Sequence, residues 1–128
     1  MIVNAFLAAL LALQSTGAAQ APETEASSPQ PLPQLSSENR AVVRCSAAFA
    51  LLAQRQSQGE TSSQQWPELG ERGREFFVRS IAGLMDDTGL GRPEVASLMT
   101  GEAQRLLSAD EVDSVMPACL LLLNSSGV

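Results

Sequence analysis

Beyond residue 36 the chain alternates between stretches with apolar residues at helical spacing and short polar or turn-forming breaks. In the first stretch Val42, Cys45, Phe49 and Leu52 follow i, i+3, i+7, i+10 spacing, with Ala41 and Ala48 filling in and Arg40, Arg44, Gln54 and Arg55 elsewhere. This predicts an amphipathic helix over 37–57 that opens near Ser36 or Ser37, with Ser37 as the N-cap and Glu38 in the first turn, where the helix dipole favours a carboxylate. The polar run Gln56 to Gln65, containing Gly59, ends it. A second helix is predicted over 67–88, with Pro67 in its first turn, Trp66 folded back on that turn, and Leu69, Phe76, Phe77, Ile81, Leu84 and Met85 as its apolar face. Glu68 with Arg72 and Glu75 with Arg79 stand at i, i+4 in the favourable order, which reads as a solvated, self-paired face.

Gly89 is placed for the left-handed position after that helix, with Leu90 packing behind it as in a Schellman stop. The third helix, 92–107, carries Val95, Leu98, Met99, Ala103, Leu106 and Leu107, and Gly101 in its middle costs about 1 kcal/mol against Ala. Ser108 and Glu111 have the spacing of a capping box, which predicts a fourth helix over 109–124 with Val112, Val115, Met116, Cys119, Leu122 and Leu123 on its buried stripe. Pro117 inside it either kinks the helix or marks a restart with Ser114 as a second cap. With no confident strand, the fold class is all-α: a small bundle of four helices.

Residues 1–19 read as a secretory signal peptide: a nine-residue apolar run from Ala5 to Leu13 is too short to span a bilayer and is followed by small and polar residues. Cleavage is favoured after Ala19, because Pro22 is a poor neighbour for a cut after Ala21. The first four residues carry no Lys or Arg, and the competing reading is a buried N-terminal helix. Residues 20–35 hold four prolines among Glu, Ser, Gln and Ala, a linker composition that cannot bury enough apolar surface to order itself. The folded domain is 36–128, with no membrane span after signal removal and a periplasmic or secreted location.

Cys45 and Cys119 fall in the middle of the first and last apolar stripes of a chain that reads as exported, so a disulfide between them is expected. Two separate buried thiols are the alternative, and a redox role lacks a C-x-x-C motif.

Composition then removes most site chemistry. There is no His and no Lys, so no Ser-His-Asp or Cys-His arrangement, no imidazole metal ligand and no Schiff-base lysine can exist. No cofactor or metal is implied. The eight basic residues, all Arg, are interleaved with fourteen carboxylates for a net charge of -6, which argues against a nucleic-acid partner. Asp86-Asp87 and the Asp110, Glu111, Asp113 group are the only tight acid clusters, and both sit at helix ends where acids have structural reasons to be.

The segments Arg44 to Leu52, Gly70 to Val78, Leu84 to Gly89 and Met116 to Leu120 together resemble uncharacterised small secreted helical proteins of high-GC Gram-negative bacteria. That resemblance implies a shared fold and export, and carries no activity. In architecture alone, a disulfide joining early and late helices of a small exported bundle is similar to the periplasmic acid-stress chaperones.

The expectation is a non-enzymatic exported module that binds another envelope protein or serves as a structural accessory. Trp66, Phe76 and Phe77, with the run Leu120 to Leu123, supply more large apolar groups than one stripe requires and are the candidate partner surface. The alternatives are a holdase loosened by acid, since protonating fourteen carboxylates leaves only the eight Arg charges, and, lowest, a carboxylate-dependent hydrolase.

Overall fold

In the computed structural model, residues 34–128 are described. They form α1 (Ser37–Ser57), a 3₁₀ turn (Thr61–Gln65), α2 (Gly70–Thr88), α3 (Arg92–Ser108) and α4 (Val112–Ser125), with no strand among the described residues. The described residues thus form the all-α bundle of four helices that the apolar periodicity predicts. The segment read as a signal peptide and all but the end of the linker lie outside the described residues. At that end the linker boundary shifts, because Leu35 packs against the core and belongs to the folded unit.

α1 is the element on which α2, α3 and α4 all pack. Its burial therefore exceeds a single stripe: Val43, Cys45, Ser46, Ala47, Ala48, Phe49 and Leu52 are all covered, while Val42, expected in the core, is only half-buried. Small residues suit such a position, since Ser46, Ala47 and Ala48 let neighbouring helices approach. The larger of two apolar clusters joins Phe49 and Leu52 of α1 to Leu69, Phe76, Leu106, Val112, Met116 and Leu123. The smaller gathers Val43, Leu84 and Val95 near the start of α1. Leu107, expected on the buried face of α3, is 51% exposed.

The helix ends correct several expectations. Ser36, not Ser37, caps α1, its Oγ accepting from the Asn39 N–H at 3.1 Å. The Schellman motif stands at the ends of α1 and α3. Gly59 (φ 72°) follows α1, with the Glu60 N–H donating to the Arg55 carbonyl and the Gly59 N–H to that of Gln56. Asp110 (φ 54°) follows α3, with the Glu111 N–H donating to Leu106 and the Asp110 N–H to Leu107. Ser108 to Glu111 is therefore a stop, not a capping box, and α4 starts at Val112 instead of residue 109. After α2, Gly89 is left-handed as expected, but the motif is the simpler one: its N–H reaches the Met85 carbonyl, and the Leu90 N–H is taken by Thr88 Oγ1.

α2 begins at Gly70 and not at residue 67. The chain at Trp66 is extended, as a residue before proline prefers, and the Gln56 side chain holds the next turn open. Gln56 Nε2 donates to the carbonyls of Ser63, Trp66 and Pro67, most closely to Pro67 at 2.8 Å, and its Oε1 accepts from the Leu69 N–H. Carbonyls that a helix from 67 would use internally are thereby committed to a side chain. Glu68, left outside the helix, does not pair with Arg72, which donates to Asn124 Oδ1 and the Val128 carbonyl; Glu75 and Arg79 do pair, at 2.8 Å. α4 is continuous through Pro117, without a restart, and Ser114 Oγ donates to the Glu111 carbonyl instead of capping.

Candidate functional site

Cys45 and Cys119 are bonded, with Cα atoms 5.2 Å apart and both residues buried in the larger cluster. The bond joins the first and last helices, as their positions in the two apolar stripes predict.

The three aromatic candidates separate. Phe76 is 3% exposed and stands edge-on to Phe49, with ring centroids 5.3 Å apart, so it belongs to the core and to no surface. Trp66 is half-buried and donates from Nε1 to Asp113 Oδ1 at 2.7 Å, which pins the loop before α2 onto the first turn of α4. Arg55 stands beside the same carboxylate, 3.7 Å from Asp113 Oδ2, and beside Glu60 at 3.9 Å. Phe77 alone of the three borders open space.

That space is a depression of about 520 Å³ between α1 and α2. Gly73 sets its depth: a Cβ there would stand 3.3 Å from Phe49 Cβ, so the helices cross at a distance that only glycine meets without adjustment. Phe49, Leu69 and Gly73 form the floor, and Ala50, Ala53 and Phe77 the walls. Gln54, Ser57, Gly70 and Arg74 are the exposed rim. Ser46 also borders it, wholly buried, and its Oγ has no hydrogen-bond partner. Of these residues the sequence pattern singled out only the aromatic and aliphatic ones. The usable clue was the pairing of short residues at spacing three on both helices, Ala50 with Ala53 and Gly70 with Gly73.

A smaller depression of about 350 Å³ lies between α1 and α3, lined in part by Leu35, Arg40, Arg44 and Glu102. Glu102 is occupied, pairing with Arg44 at 3.6 Å and Arg105 at 2.8 Å, and Arg105 reaches on to Glu111 at 2.8 Å. Hydrogen bonds that the Arg105 guanidinium donates to Glu102 and then to Glu111 hold it charged far above the ordinary arginine range. A raised value of this kind means that the arginine's side of the pairing is present below the pKa of an unfolded arginine and is lost only in strong alkali, so Arg105 does not titrate away near neutrality.

Neither depression contains two carboxylates. Of the acid clusters, Asp86 and Asp87 are exposed at the end of α2, and Asp113 and Glu111 are committed to Trp66, Arg55 and Arg105. No group of three potential metal ligands converges, and no helix is long and apolar enough to cross a membrane, among the described residues.

A further surface feature among the described residues is the outer side of α4. Pro117, Ala118 and Leu121 are exposed there, Leu121 to 72%, and no residue from Ser114 to Val128 carries a charged side chain. No protein-family model, no curated protein and no solved structure matches this chain.

Proposed function

We propose that this chain is an exported, non-enzymatic helical module of the cell envelope, held by one disulfide, that works by presenting an apolar surface to another envelope protein. The observation that supports export is the buried Cys45–Cys119 bond, because such bonds form and persist in oxidising compartments. The outer side of α4 supports the protein-binding half of the reading: an exposed Leu121, on a stretch of helix whose own side chains from Ser114 onward carry no charge, suits an apolar counterpart. The proposed contact thereby moves from Phe76 and Trp66, which serve the core and a loop, to the Leu121 side.

The test is the intact mass of the protein from an envelope fraction, with thiols alkylated before reduction, followed by crosslinking through a photoreactive group at position 121. Loss of about the first nineteen residues, no alkylation and one reproducible crosslinked partner is the expected result. A full-length, doubly alkylated chain would overturn export, and a crosslink pattern without a recurring partner would overturn the binding role.

A further inference from the structure

The depression between α1 and α2 has the size of a small-molecule site and a lining of the matching kind, mostly apolar with a few polar groups. Gln56 meets Leu69, Phe49 meets Gly73, and Val43 shares a cluster with Leu84, so α1 and α2 run antiparallel. That course places Ser46, Ala50, Arg74 and Phe77 toward one end and Ala53, Ser57 and Gly70 toward the other.

We propose that this depression binds an apolar molecule carrying a single carboxylate, an acid of the fatty-acid type, with its head between Arg74 and Ser46 and its tail over Ala53 and Gly70. Arg74 is the only charged residue of the lining, and no carboxylate among the described residues engages it. One cation over an apolar floor matches one anionic group on an apolar body. A polyanion would instead meet a molecule of net charge -6 with a single arginine to receive it.

Ser46 supplies the second, independent observation. Buried hydroxyls nearly always have a partner, yet Ser46 Oγ has none and its residue borders the cavity. Ser46 is closed off beneath the depression, and a turn of its side chain toward the cavity would give the hydroxyl a carboxylate oxygen as acceptor, while Arg74 neutralises the charge. The space itself exists because Ala50, Ala53 and Gly70 carry little or no side chain, and a Cβ at Gly70 would meet nothing within 4 Å.

This inference does not rest on the envelope-partner reading, and its failure would leave that reading untouched. The test is an NMR titration of the oxidised protein with decanoate, with decanol as the neutral counterpart. Saturable one-to-one binding of decanoate is expected, with shifts centred on Ala50, Ala53 and Arg74 and affinity at least about tenfold above that for decanol, the factor expected of a charge-assisted contact. Arg74→Gln should remove the preference for the acid, and Ser46→Ala should weaken binding severalfold without lowering the melting temperature. Ala53→Trp should abolish binding by filling the tail site, and Ala50→Leu serves if that variant does not fold. Absence of saturation below the micelle concentration, equal binding of acid and alcohol, indifference to Arg74→Gln or Ser46→Ala, or shifts centred on α4 would each overturn the proposal.

Discussion

Gly73 and Gly101 both lie within helices, Gly73 in the first turn of α2 and Gly101 in the middle of α3, and they differ in what surrounds them. A methyl group at Gly73 would crowd Phe49 Cβ at 3.3 Å and Leu69 Cβ at 3.5 Å, whereas at Gly101 it would meet nothing. Helix propensity alone favours Ala over Gly by about 1 kcal/mol. Gly101→Ala should therefore stabilise the protein by close to that amount in urea unfolding. Gly73→Ala should gain nothing or lose stability, since α1 and α2 must separate by a few tenths of an ångström and Phe49 lies at the centre of the larger cluster. If both substitutions stabilise equally, the crossing is looser than its geometry indicates.

At the scale of elements, Pro117 is the clearest local conflict. It stands in the sixth position of α4, past the first turn, where it cannot donate to the Asp113 carbonyl. Its ring is exposed, so little packing is lost with it. Pro117→Ala should raise stability by about 2 kcal/mol, the helical penalty of proline less the entropy it removes from the unfolded chain. An unchanged urea midpoint would show that the helix already accommodates the missing bond.

Legibility in the sequence follows the same division between local pattern and tertiary context. Helix number, type and approximate extent were readable because period-3.6 apolar spacing reports burial directly, and the pairing of Cys45 with Cys119 followed from their places on the first and last stripes. The start of α2 was not readable. It depends on a glutamine fourteen residues earlier in the chain, Gln56, whose side chain replaces helical hydrogen bonds at Trp66 and Pro67. The Ser108 to Glu111 segment satisfied a capping pattern in letters, but a left-handed Asp110 uses those residues to close α3. Burial around α1 was underestimated because one helix wrapped by three neighbours has no single apolar stripe. The candidate site was hardest to read, since a cavity is made by the residues that fail to fill it, and alanine and glycine give no hydropathy signal for that.

For the molecule as a whole, stability is concentrated on α1 and its covalent tie to α4. The two cysteines are 74 residues apart, and closing a loop of that length removes denatured-chain entropy worth about 4.5 kcal/mol on the chain-entropy model. Domains of this size retain only several kcal/mol in total. Cys45→Ala with Cys119→Ala should therefore lower unfolding stability by about 4 kcal/mol in urea, bringing the protein close to half unfolded near physiological temperature. A loss below about 1 kcal/mol would mean that the core holds α4 in place without the bond.

The same tie sets an order on the birth of the molecule. Cys45 is synthesised well before Cys119, and the sequence contains no third thiol with which it could pair in the interval. A chain cut short ahead of α4 would carry a solitary sulfur on its central helix, uncovered by the element that normally buries it. In an oxidising compartment the readiest mate for that sulfur is the same residue of another truncated copy. Covalent dimers through Cys45 would in such a compartment be the chemical mark of molecules that never received their last helix.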